Sequence, residues 1–281
     1  MSIISKKRIV HTLLFVFAIV LFYVVFGLVL NYNPDVSVFF GLSFALLFFT
    51  LAQSLYEIGL KNTLVFGVIT VVTGFGFEVL GTGVGVPFGK YYYTDFLGEK
   101  FLNVPIVVPL IWFVITYIAY SQSVPYFRGK LGNESYGKIL GIASLVAYGA
   151  LAWDLLVDPM FSSYGYWVWE NNGSTFTLSG VPVSNFVGWL FVVFLMVTIF
   201  VLITRNSKVM KRENTLDSRI AYVLLFIDAA VANYGLGHYS VIVIGAIGML
   251  SFVLASYLIV RRGKLALKES TIEKPLGGAS A

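Results

Sequence analysis

Asp154 and Asp158 stand four residues apart in the stretch ALAWDLLVDPMFSSYGYWVW, residues 150–169. On a helix that spacing places both carboxyls on one face, about 6 Å apart along the axis. A third acid, Glu78, stands just ahead of VLGTGVGVPFG, near the end of another apolar run. An ionised carboxylate in hydrocarbon costs several kcal/mol unless it is paired, hydrated or protonated. Two carboxyls on one face, joined by a third from another helix, can hold a proton between them, which is the equipment of a general acid. The competing structural reading is that each acid caps a loop or accepts a hydrogen bond from a tyrosine.

The remaining polar residues in apolar runs carry weaker signals. Glu57 precedes Lys61 by four residues, so an ordinary helical ion pair is expected there. Asp228, followed by Asn233 and His238, reads as a hydrogen bond between helices rather than a second site. His11 follows the basic residues Lys6, Lys7 and Arg8 and is expected at an interface. Zero cysteines and two histidines argue against thiolate or histidine-rich metal sites, so no metal is expected. Gly74, Gly76, Gly81 and Gly85 have no strand before them, which makes them helix-packing and turn positions rather than a dinucleotide fingerprint.

These acids are positioned by a membrane protein. Only 12% of the 281 residues are charged and 58% are hydrophobic, against roughly 25% charged in a soluble domain. Apolar runs, each about long enough to cross roughly 30 Å of hydrocarbon as a helix, recur near 9–31, 36–59, 63–83, 104–124, 137–157, 184–204, 219–236 and 239–260. The fold class expected is all-α: a polytopic transmembrane bundle of about eight helices, one domain over 1–264, with a polar tail at 265–281. The first run is too long for a signal sequence and lacks a clear cleavage site, so it reads as a retained helix. Almost no loop separates the last two runs, so a broken or re-entrant pair is the alternative there.

Counting on alternate sides puts 17 of the 19 Lys and Arg residues together and leaves only Lys90 and Lys100 opposite. The positive-inside rule then places both termini in the cytoplasm of a multi-pass cell-membrane protein. The net charge of +5 is thereby explained by orientation, with no nucleic-acid partner. Loops 84–103 and 158–183 fall on the extracytoplasmic side and are long, aromatic and poor in charge. Four of the five tryptophans, Trp153, Trp167, Trp169 and Trp189, lie in or beside the second loop. That density exceeds an ordinary interfacial belt and predicts a packed cap over the helix ends.

The two stretches GFGFEVLGTGVGVPFGKYYYTDFLGEKFLNVPIVVPLIWFVITYIAY and AWDLLVDPMFSSYGYWVWENNGSTFTLSGVPVSNFVGWLF resemble the CruF-type carotenoid hydratase family. The likeness covers roughly residues 74–120 and 150–191. It is carried by ordered strings of uncommon residues: Glu78, Gly85 to Gly89, Tyr91, Tyr92, Tyr93, Asp95, Pro105, Pro109 and Trp112, then Trp153, Asp154, Asp158, Pro159, Gly165, Trp167, Trp169, Pro182, Asn185 and Trp189. The resemblance implies addition of water to the terminal 1,2 double bond of an acyclic or monocyclic carotenoid, giving a tertiary alcohol without a redox cofactor. In that setting Asp154, Asp158 and Glu78 are the candidate catalytic acids. Tyr91, Tyr92, Tyr93, Asp95, Trp112, Trp153, Trp167, Trp169, Asn185 and Trp189 are the candidate substrate-binding residues. The implied partner is a carotenoid within the bilayer, with other membrane enzymes of the pathway as candidate associates.

Three other readings compete. A proton- or ion-coupled transporter would spread its acids through the bilayer depth, whereas these gather at one end. A non-catalytic carotenoid-binding protein would use the same aromatic cap without turnover. A cyclase-type enzyme would begin with the same protonation and then lose a proton.

Overall fold

A computed structural model describes residues 3–30, 36–123, 136–170, 177–204 and 215–272. It contains eight helices: α1 Ile3–Val29, α2 Val36–Glu57, α3 Gly59–Val84, α4 Val107–Ser123, α5 Tyr136–Ser163, α6 Val183–Thr204, α7 Thr215–Gly235 and α8 Tyr239–Ile272. The all-α membrane bundle expected from the apolar runs is what the chain forms. By length and composition, six of the helices can cross a membrane; α4 is a shorter apolar helix. α7 carries Asp217, Arg219 and Asp228 among its apolar residues. Nearly every residue of α4 is buried, so it needs no match to lipid thickness and packs as a helix apolar all round.

The last two runs are continuous helices. α7 ends at Gly235 and α8 begins at Tyr239, with Gly237 at φ +76° making the turn between them. α8 runs on to Ile272, through the first part of the expected polar tail. α5 continues through Pro159 to Ser163, beyond the expected end at 157.

Side-chain bonds fix the relative directions of the helices. His11 lies 3.3 Å from Asp217, joining the starts of α1 and α7. Tyr117 and Ser121, near the end of α4, reach Glu57 at the end of α2. Ser218 donates to Ser121 at 2.8 Å, bringing the start of α7 to the same end. Tyr222 donates to the Gly149 carbonyl and Asn233 to the Leu156 carbonyl, so α5 and α7 run parallel. The ends of α3 and α5 therefore share the opposite end of the bundle.

Six short strands cap that end. β1 Tyr91–Tyr93 pairs antiparallel with β4 Trp167–Trp169, in the register Tyr91↔Trp169, Tyr92↔Val168, Tyr93↔Trp167. β2 Lys100–Phe101 pairs with β3 Val104–Pro105, and β5 Thr177–Leu178 with β6 Val181–Pro182. The two aromatic loops are thus hydrogen-bonded to each other, as the expected cap requires. Close helix packing depends on glycine: a Cβ on Gly74 would stand 2.6 Å from Trp112, and one on Gly149 2.6 Å from Phe252.

Glu57 departs from its expected ion pair. α2 ends at Glu57 and α3 begins at Gly59, so the helical register that would bring Lys61 back is broken, and Lys61 is exposed. Glu57 is fully buried and accepts from Gln53 at 2.6 Å, Tyr117 at 2.8 Å and Ser121 at 3.1 Å. Those donors come from α2 itself and from α4, tying the two helices together.

Candidate active site

Strand alternation builds the first wall. Successive side chains of β1 and β4 point to opposite faces, so Tyr91, Tyr93, Trp167 and Trp169 turn inward while Tyr92 and Val168 are exposed. Gly85 at φ +79° closes α3 and accepts the reversal of the chain toward β1. Gly81 leaves room for the incoming ring, since a Cβ there would lie 2.8 Å from Tyr91. Glu78 then accepts from the hydroxyl of Tyr91, from that of Tyr93 at 2.7 Å, and from Trp112 Nε1 at 2.9 Å. Burial, and next the charge of Glu78, hold both phenols well above their usual pKa, so they stay O–H donors.

The second wall comes from α5. Because α5 continues past 157, Asp154 and Asp158 do share a helix face. Asp158 Oδ1 accepts from Trp167 Nε1 at 2.8 Å and Trp169 Nε1 at 3.0 Å. Its other oxygen accepts from Asn185 Nδ2 at 2.8 Å, and the same nitrogen donates to Asp154 Oδ2 at 2.9 Å. Among the described residues Asp154 Oδ1 meets no donor. Glu78 and Asp158 thus have three donors each, and Asp154 has one.

Together these groups line a pocket of about 60 Å³, room for a water or two beside a small alkyl end. Its aromatic side is a stack: Trp112 lies on Trp189 with ring centroids 3.9 Å apart and planes 20° from parallel, and Trp153 stands edge-on to Trp189 at 5.9 Å. Phe39, Ile111, Trp153, Val157 and Phe161 also line a second cavity of about 410 Å³ that is mostly apolar. The small acid pocket and the large apolar one therefore share a wall. Phe44 and Phe96 line the larger cavity and are themselves exposed, so it opens on the flank of the bundle.

The structure brings Glu78, Asp154, Asp158, Tyr91, Tyr93, Trp112, Trp153, Trp167, Trp169, Asn185 and Trp189 to one pocket. Two of the sequence candidates lie elsewhere. Tyr92 falls on the outer face of β1, and Asp95 is an exposed partner of Lys100 at 2.8 Å, whose hydrogen bond holds its carboxyl below the usual range. Phe39 and Phe161 line the pocket without having been singled out; nothing in an apolar helix marks which phenylalanine meets a cavity. Asp228 also departs from expectation. Asn233 bonds the Leu156 and Ala229 carbonyls and pairs with His238, while Asp228 turns to the large cavity. Among the described residues no set of three or more His, Asp or Glu side chains is placed to hold a metal ion.

The family described as "Carotenoid biosynthesis protein" matches residues 34–254, which contain the acid pocket and all of the large cavity's lining except Val24 and Leu28. The chain belongs to that family. Within this carotenoid biosynthesis family, the CruF-type resemblance is borne out by a bisanhydrobacterioruberin hydratase of Haloarcula japonica, 31% identical over 117 residues. The matched stretch is 41% of this chain and 37% of that relative. No solved structure matches the chain.

Proposed function

We propose that this family member hydrates the terminal isopropylidene double bond of an acyclic or monocyclic carotenoid, forming a tertiary alcohol with no cofactor. The observation that carries this reading is the unequal hydrogen bonding of three carboxyls in a pocket joined to an apolar cavity. Three donors each favour the ionised form of Glu78 and Asp158 over that of Asp154. Asp154, with one donor and a free oxygen, carries the proton.

In the proposed cycle, Asp154 protonates C2 of the polyene end, leaving a tertiary cation at C1. The faces of Trp112, Trp153 and Trp189 stabilise that cation by up to about 2 kcal/mol each where desolvated. The fixed negative charges of Asp158 and Glu78 act in the same direction. A water in the acid pocket adds to C1, and its surplus proton returns to the carboxyl pair, restoring Asp154. Atoms balance without an oxidant or reductant. The apolar cavity holds the adjoining part of the chain, and its flank opening admits a substrate from the bilayer.

The charge distribution supports an orientation with both termini in the cytoplasm and the acid pocket at the extracytoplasmic end of a cell-membrane protein. Other membrane enzymes of carotenoid synthesis are the natural associates, since substrate and product both stay in the bilayer. A transporter reading is disfavoured by the packing between the two ends: Phe66, two turns into α3, packs on Tyr117 at 5.3 Å and on Phe200 at 4.9 Å, and α3 carries no acid from there to Glu78. Expression in a lycopene-producing bacterium, with mass analysis of the pigments, tests the proposal. A product heavier by one water supports it; a cyclised product of unchanged mass, or pigment bound but unaltered, overturns it.

A further inference from the structure

Among the described residues, Asp228 is the one carboxyl lining the cavity of about 410 Å³, and the mechanism above does not use it. Leu225, Asp228 and Ala232 line that cavity from α7 at spacings of three and four, so they form one helix face. An apolar residue would complete that face. Asp228 is half-buried on the cavity wall, and no side chain or backbone group among the described residues hydrogen-bonds its carboxyl. Tyr164, which lines the same cavity, is close enough that burial and then the charge of Asp228 raise its phenol above the usual value. The other walls, from α1, α2, α4 and α5, present mainly Leu, Val, Ile and Phe. A lone ionisable group on such a surface marks a functional position by default, with its partner to be named.

The partner must be apolar enough to fill the chamber and must bring one polar group to α7. A hydroxyl satisfies a single carboxyl whether that carboxyl donates or accepts. An ammonium group would carry a full charge into a chamber with no further anion to share it. We infer that Asp228 is a hydroxyl-binding subsite, and that the ligand of the large cavity is an isoprenoid chain bearing an alcohol on the segment held there. The inference rests on the reading of the cavity as an isoprenoid chamber and deepens it, because it selects hydroxylated chains over pure hydrocarbons.

The test is equilibrium binding of farnesol and geranylgeraniol to the purified full chain in nanodiscs, each compared with its methyl ether. The ether keeps the chain and removes the O–H donor, and the two alcohols differ in the reach of the hydroxyl. The wild type is expected to bind at least one alcohol about tenfold more tightly than its ether, the scale of a hydrogen bond to an ionisable group. Asp228→Leu should erase that preference while leaving the ether affinity within about twofold, and Asp228→Asn should keep part of it. Equal binding of alcohols and ethers by the wild type overturns the subsite, as does a preference that survives Asp228→Leu. A parallel loss of alcohol and ether binding in Asp228→Leu also overturns it, by showing a packing role. If Asp228→Leu does not fold, the wild-type ratio and Asp228→Asn still decide. Failure to hydrate both lycopene and a carotenoid that bears an alcohol, with the alcohol preference intact, would sink the hydratase reading and leave the subsite standing.

Discussion

Asn185 donates to Asp154 at 2.9 Å, the one side-chain hydrogen bond that reaches Asp154 among the described residues. The same amide holds Asp158 at 2.8 Å, so one residue of α6 couples the two aspartates of α5. This coupling separates the three acids by how many donors each would lose on substitution.

Asp154→Asn should remove acidity with little structural change, because only one bond depends on that carboxyl. Hydration should fall on the order of 10²–10⁴-fold, the usual contribution of a general acid, while the detergent-extracted protein stays monodisperse and retains carotenoid. Glu78→Gln and Asp158→Asn place an amide nitrogen among indole and phenol donors, so they should lose about 1–3 kcal/mol of stability as well as activity. Near-normal turnover of Asp154→Asn at equal protein level would remove it from the role of proton donor.

Gly74→Ala drives a methyl into Trp112, whose Cγ lies 2.6 Å from the added Cβ position. Trp112 must move, and with it the indole that stacks on Trp189 and donates to Glu78. Overpacking of this kind costs about 1–3 kcal/mol, and a displacement near 1 Å at a reacting centre costs up to about 10²-fold in rate. Gly149→Ala meets Phe252 equally closely, away from the acids. It should lower thermal stability to a similar extent and leave turnover of the folded fraction unchanged. Equal kinetic effects of the two variants would separate the Trp112 position from catalysis.

Glu57 sits at the other end of the bundle, roughly 28 Å from Glu78 by the rise of α3. Glu57→Ala leaves buried donors from Gln53, Tyr117 and Ser121 without their acceptor. Thermal unfolding should show a loss of about 1–3 kcal/mol, with product distribution and turnover per folded molecule unchanged. A stable Glu57→Ala protein with impaired hydration would mean that this end takes part in the reaction.

The chain contains no cysteine, so single introduced thiols report orientation directly. Glu99 is exposed beside β2, at the end of the bundle that carries the acids, and Lys61 is exposed at the opposite end. Glu99→Cys should react with a membrane-impermeant maleimide in intact cells, and Lys61→Cys only after lysis. The reverse pattern would invert the proposed orientation and place water entry on the cytoplasmic side.

The sequence by itself determined the bundle. Lipid offers no hydrogen bonds, so each long apolar run has to satisfy its own backbone as a helix, and run lengths report helices without knowledge of their neighbours. It also marked Glu78, Asp154 and Asp158, because a carboxyl in an apolar run is costly wherever the run packs. Partner choice was decided by the tertiary structure. The spacing of Glu57 and Lys61 pointed to a local ion pair, but the break between α2 and α3 turned Glu57 to α4. Asp228 and Asn233 together read as a hydrogen bond between helices, yet the rotation of α7 aimed Asn233 at α5 and Asp228 at the large cavity. Tyr92 and Tyr93 are adjacent and identical in type, and only the pairing of β1 with β4 placed one outside and the other on Glu78. The donor count that distinguishes Asp154 from its neighbours involves residues from four separate elements, β1, α4, β4 and α6. Spacing along a sequence carries information about contacts within a helix; contacts between segments depend on packing, which no local pattern encodes.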